Sequence, residues 1–202
     1  AANGRDATGV VFVIFLTADK TVASYAALHA SETAIMGDLL LENLSFGVSL
    51  TAVGDVNADG VADIAVRSNT DTYVLLLERD GHVSSYTALG LADKGVYINA
   101  GIGAVGDLNG DGIGDLVVGS EAHNRFVILL LQSSGEELDH RVVTTSETEF
   151  FTASFSKFGN SVAGLGDVNG DGIPDIAVGD PDVSCTGVFC GRVYLFFMDS
   201  DV

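Results

Sequence analysis

A nine-residue segment occurs three times in this 202-residue chain: Asp55-Val-Asn-Ala-Asp-Gly-Val-Ala-Asp63, Asp107-Leu-Asn-Gly-Asp-Gly-Ile-Gly-Asp115 and Asp167-Val-Asn-Gly-Asp-Gly-Ile-Pro-Asp175. Oxygen-bearing side chains stand at position 1 (Asp55, Asp107, Asp167), position 3 (Asn57, Asn109, Asn169), position 5 (Asp59, Asp111, Asp171) and position 9 (Asp63, Asp115, Asp175). Alternating carboxylates and amides in a tight loop aim hard oxygen donors at one centre, which is what Ca²⁺ takes. Gly60, Gly112 and Gly172 at position 6 allow a sharp backbone reversal. The apolar position 7 (Val61, Ile113, Ile173) offers a cation only its carbonyl, while its side chain anchors the loop in the core. Asp-Gly and Asn-Gly also make ordinary turns without metal. Threefold repetition favours three Ca²⁺ sites over three plain turns.

Charge bounds the partners. The chain has 28 Asp and Glu against 9 Lys and Arg, a net charge of −19, and the loops hold nine of those acids. Nucleic acid and anionic lipid are poor partners for such a surface, since neither finds the cationic patch it requires, and no nucleic acid partner is expected. Three bound Ca²⁺ would bring −19 to −13 and relieve self-repulsion. A hydrophobic content of 47% sets the chain apart from disordered acidic sequences. The longest apolar runs, Val10–Leu16 and Phe126–Leu131, are too short to cross a bilayer as helices and read as buried strands, so no direct membrane insertion is expected. The first residue, Ala1, suits a mature or excised segment.

Similarity extends beyond the loops. Nine residues before each lead Asp stand Phe46-Gly47, Ile98-Asn99 and Phe158-Gly159. Just after each loop come Ile64–Val66, Leu116–Val118 and Ile176–Val178, then runs dense in strand formers at Tyr73–Leu77, Phe126–Leu131 and Val193–Phe197. A turn and a more polar strand follow. The polar strands Val22–Leu28 and Val83–Leu89 share five of seven residues. Ala23–Leu44 has some helical character, strongest over Glu32–Leu41, but its start matches the later strand. The lead aspartates are 52 and 60 residues apart. Four short strands per repeat at a period near 50 residues mark a β-propeller. The expectation is an all-β fold of four-stranded antiparallel blades, about three blades plus a leading half-blade, with thirteen strands counted as two, four, four and three.

These motifs resemble the FG-GAP repeats of integrin α-subunit propellers and their bacterial and protist relatives, whose pattern is Phe-Gly, a calcium loop, then Gly-Ala-Pro. Repeat three has Phe158-Gly159 and Gly179-Asp-Pro181; repeat two has Ile98-Asn99 and Gly119-Ser120; repeat one has Phe46-Gly47 but Arg67 where the later glycine would stand. The resemblance implies calcium ligands at Asp55, Asn57, Asp59, the Val61 carbonyl and Asp63. The same holds for Asp107, Asn109, Asp111, Ile113 and Asp115, and for Asp167, Asn169, Asp171, Ile173 and Asp175. It also implies a structural role for the metal, on the rim away from the ligand face. Since the family forms seven-bladed propellers, the chain corresponds to roughly half of one. The division expected is one propeller segment over 1–202: trailing strands of a preceding blade at 1–45, then repeats at 46–97, 98–157 and 158–202. Such a segment is either part of a larger propeller or a unit completed by oligomerisation.

Other chemistry recedes. His29, His82, His123 and His140 are scattered, and the serines lack a nucleophile-elbow context. Gly101-Ile-Gly-Ala-Val-Gly106 leads into an acidic loop instead of a helix, so its dinucleotide reading fails. Metal hydrolysis would need an open coordination position and a general base, and the sequence reveals neither. Cys185 and Cys190 are expected to form a local disulfide, which fits an oxidising compartment; a reduced pair is the alternative. Asn43-Leu-Ser45 is a glycosylation triplet. The leading function is a non-catalytic, secreted or cell-surface adhesion or assembly module, its partner a protein, further blades or a second copy. The alternatives are a glycan-binding propeller, disfavoured by the absence of Trp, and an accessory propeller of a secreted hydrolase.

Overall fold

The hydrophobic runs that follow each acidic loop form the middle of a sheet. The computed structural model describes residues 9–28, 45–91, 99–145, 157–185 and 188–199. In blade one, β3 (Ser49–Gly54), β4 (Asp63–Arg67), β5 (Thr72–Leu77) and β6 (Val83–Ala88) pair antiparallel in chain order. Blade two repeats this with β7 (Ile102–Gly106), β8 (Asp115–Ser120), β9 (Arg125–Leu131) and β10 (Glu137–Thr144). Ahead of them lies the hairpin of β1 (Val11–Leu16) and β2 (Val22–Leu28). Blade three contributes β11 (Ser161–Gly166), β12 (Asp175–Asp180) and β15 (Arg192–Phe196). The fold is all-β, a partial β-propeller of four-stranded antiparallel blades.

One feature departs from the thirteen strands expected. Between the second and third strands of blade three the chain forms a further hairpin, β13 (Ser184–Cys185) with β14 (Val188–Phe189). These two-residue strands carry too few alternating positions to register as a strand pattern. The expected helical character of Glu32–Leu41 and the sequon at Asn43 lie outside the described residues, as does Ile98.

The third strands of blades one and two are apolar on both sides because each lies between two seams. Tyr73, Leu75 and Leu77 of β5 pack toward β1 and β2, joining Val11, Leu28 and Phe46. Val74 and Leu76 pack toward blade two, joining Val127, Leu129 and Leu131 of β9. The other face of β9 (Phe126, Ile128, Leu130) meets Phe158, Ile176 and Val178 of blade three. Each hydrophobic cluster is therefore the seam between successive sheets, and burial on both faces removes the usual in–out alternation. At the two ends one face stays open. Phe12, Ile14, Leu16, Val22 and Tyr25 are exposed on the β1–β2 hairpin, as are Val193 and Leu195 of β15 and Phe197 just past it.

The Phe-Gly segment is a seam device. Phe158 is fully buried, with its ring centroid 5.9 Å from Phe126 in blade two and 5.5 Å from Tyr194 in its own blade. Gly159 has φ +87°, and a Cβ there would lie 2.2 Å from the Arg125 carbonyl oxygen of the preceding blade. Only glycine tolerates both conditions. Its amide donates to the Gly179 carbonyl at 3.2 Å, which ties the Phe-Gly motif to the later glycine of the repeat. In repeat one the carbonyl of Arg67 serves instead, accepting from Gly47 at 3.1 Å. The Arg67 guanidinium is itself buried, and that burial lowers its pKa.

Candidate metal centres

Each acidic segment links the first strand of its blade to the second. The short span forces a tight loop, and the backbone passes through the left-handed region at position 6, with φ of +83° at Gly60, +88° at Gly112 and +92° at Gly172. Position 4 is left-handed too. It is glycine in loops two and three (Gly110, Gly170), but Ala58 in loop one holds φ +60°. That conformation costs an alanine about 1 kcal/mol.

The side chains fold over this backbone in the same way three times. Asp55 accepts the amide of Asp59 on Oδ1 at 3.0 Å and that of Gly60 on Oδ2 at 2.8 Å. Asp107 does the same for Asp111 and Gly112, and Asp167 for Asp171 and Gly172. Asn57, Asn109 and Asn169 accept the position-5 amide on Oδ1, and each donates Nδ2 to the position-5 carboxylate. Position 5 in turn accepts the amide of position 7 on Oδ1, at 2.8 Å for Val61, 2.8 Å for Ile113 and 2.9 Å for Ile173. The sequence thus brings positions 1, 3 and 5 together on an exposed rim.

Position 9 is different. Asp63, Asp115 and Asp175 are wholly buried at the first residue of the second strand. Burial raises the Asp63 pKa against the opposing pull of two amide hydrogen bonds, and the Asp59 and Asp55 carboxylates raise it further. For Asp115 the same forces, with Asp111 and Asp107 as neighbours, push the pKa up to about 6. In loops one and two the carboxylates of positions 1 and 5 therefore act against the ionised form of position 9.

The donor set fits a hard cation: three carboxylates and an amide oxygen in each loop, with no sulfur or imidazole. A carboxylate has about four lone-pair sites, so an oxygen that accepts one amide can still face a metal. Among the described residues, no three His, Cys, Asp or Glu side chains already converge as a metal cluster. Their oxygens are turned onto the loop's own amides instead.

The remaining candidates are quieter. His82 pairs with Asp80 at 3.0 Å in a turn, and His140 with Glu137 at 2.9 Å on β10. Cys185 lies on one arm of the β13–β14 hairpin, and Cys190 just past the other, its amide donating to the Val183 carbonyl at 2.9 Å. The side chain of Cys185 lies outside the described residues. Among the described residues, no helix is long and apolar enough to cross a membrane.

One position that shapes the loops escapes a reading of oxygen donors alone. Position 8 packs on the preceding blade: a Cβ on Gly114 would lie 2.3 Å from the Val53 carbonyl oxygen, and Pro174 sits against Gly106. Position 7 follows it, with Ile113 packed into the seam of Val53 and Val56, and Ile173 into that of Val105 and Leu108.

Comparison with known proteins agrees with this geometry. Residues 55–118 match the FG-GAP-like repeat and residues 158–196 the FG-GAP repeat. Integrin alpha-4 of Xenopus laevis is 25% identical over 194 residues, 94% of this chain and 18% of that protein. Integrin alpha-7 of Mus musculus is 31% identical over 189 residues, 86% of this chain and 15% of that protein. Integrin alpha-8 of Mus musculus reaches 42% over 89 residues, 38% of this chain and 8% of that protein. The chain spans less than a fifth of the length of these curated relatives. Repeated blades, Phe-Gly seams and acidic loops together place the chain in the FG-GAP repeat family of integrin-α-like propellers.

Proposed function

We propose that the chain is a calcium-stabilised propeller segment of an extracellular or cell-surface adhesion or assembly protein, and that it is not catalytic. The observation that carries this reading is the threefold recurrence of one acidic loop, each with three carboxylates and an amide oxygen in one short span and a position-7 side chain in a seam. Calcium would be held by Asp55, Asn57, Asp59, the Val61 carbonyl and Asp63, and by the matching residues of loops two and three. Bound there, it would neutralise the carboxylates and cross-link the loop. Stiff loops would then fix the seams, and stiff seams would present a constant outer surface to a protein partner.

The segment 1–202 acts as one unit with repeats at 46–97, 98–157 and 158–202. Its open faces resemble the interior ones before they are covered, so we assign them to further blades, from the same protein or from a second copy. Cys185 and Cys190 form a disulfide in this reading. Titration calorimetry tests the metal: three equivalents of Ca²⁺ are expected, with EDTA lowering the melting temperature because only the folded chain binds. Asp59→Ala, Asp111→Ala and Asp171→Ala should each remove about one equivalent. No heat of binding at millimolar calcium would overturn the proposal.

A further inference from the structure

We propose that Asp63, Asp115 and Asp175 are blade-closing residues that hold the sheet together without metal, leaving positions 1, 3 and 5 as the replaceable part of each loop. Each carboxylate joins three stretches of chain. It sits on the first residue of the second strand. One oxygen accepts the position-2 amide, at 2.9 Å from Val56, 2.8 Å from Leu108 and 2.9 Å from Val168. The other accepts an amide from the last residue of the third strand, at 2.8 Å from Leu77 and 2.9 Å from Leu131, or from just past it, at 3.0 Å from Met198.

Register explains why those three amides need a partner. In blade one Ile64 pairs with Leu75, so Leu77 falls opposite Ala62; in blade two Leu116 pairs with Leu129, so Leu131 falls opposite Gly114. In blade three Ile176 pairs with Phe196, which sets Met198 opposite Pro174. All three partners are loop position 8, where the second strand has not yet begun. No ladder carbonyl reaches the third-strand amide there, and a buried amide left without an acceptor is costly. The position-9 carboxylate extends the ladder by one bond with a side chain. Its burial, against the exposure of Asp59, Asp111 and Asp171, marks the same division.

The claim about positions 1, 3 and 5 rests on the calcium reading; the claim about position 9 does not. Amide hydrogen exchange on the full chain in EDTA tests it directly. Leu77, Leu131, Met198, Val56, Leu108 and Val168 should exchange slowly without metal. In Asp115→Asn, which keeps one acceptor oxygen but sets an NH₂ against an amide, one of Leu108 and Leu131 should lose protection at least tenfold. The melting temperature in EDTA should fall by about 5 °C. Asp111→Asn, which keeps an acceptor for the Ile113 amide, should leave Leu108 and Leu131 protected in EDTA and not lower the melting temperature, while altering calcium stoichiometry. If the six amides are protected only when calcium is present, or if both variants behave alike in EDTA, the proposal is overturned. Absence of calcium binding with the six amides still protected would sink the metal reading alone.

Discussion

Phe158→Ala measures how much one aromatic ring contributes to a seam. The ring is fully buried, and a phenylalanine removes about 200 Å² from water, worth about 5 kcal/mol at about 25 cal/mol per Å². Some of that returns as neighbours relax into the space, which sets the usual range for such truncations at about 3–5 kcal/mol. Phe158 also contacts three other rings, with centroids at 5.9 Å to Phe126, 5.5 Å to Tyr194 and 6.1 Å to Phe196. A loss of about 4 kcal/mol is therefore expected, or about 8–16 °C in melting temperature for a chain of this size. Phe12→Ala is the matched control. That ring is 53% exposed and, among the described residues, its ring contact is with the edge of Tyr25 at 5.9 Å, so its removal should cost less than about 3 °C. Thermal unfolding followed by circular dichroism at fixed calcium compares the two. Equal shifts, or a fall under about 4 °C for Phe158→Ala, would show that the seam does not depend on this ring.

Gly159→Ala should destabilise more than Gly110→Ala, because the first meets the Arg125 carbonyl at 2.2 Å while the second has open space and only the strain of a left-handed φ. Denaturant midpoints should separate them by at least about 1 kcal/mol. Alkylation without reductant followed by intact-mass analysis should leave Cys185 and Cys190 unmodified; two alkylated thiols in secreted material would refute the disulfide. Light scattering on the isolated chain should show association through its open faces, reduced by Val193→Ser with Leu195→Ser. A well-folded, strictly monomeric chain would contradict that assignment.

Strand positions were legible because the third strands are apolar throughout and the polar strands repeat their residues. The observed β2 has the expected bounds, Val22–Leu28, and β9 gains only Arg125. The acidic loops were legible as donor sets. Their second layer was not, because it depends on register: nothing in Asp63 itself says that its partner will be Leu77, fourteen residues away. Nor does Gly114 declare that it lies on Val53, since that contact belongs to two blades at once. Local pattern encodes a blade; what joins blades emerges only when they stack.

The packing of loop positions 7 and 8 on the preceding blade gives the array a direction. Every loop grips backward, so the clasps of the row all face one way. Removing blades from the trailing end would leave the remaining clasps engaged. Removing the leading hairpin would strip Val61 of the surface it grips while the later clasps stayed shut. In a quasi-linear array, where each unit answers mainly to its neighbours, melting should then run from the leading side. A chain pulled from its two ends should yield there first.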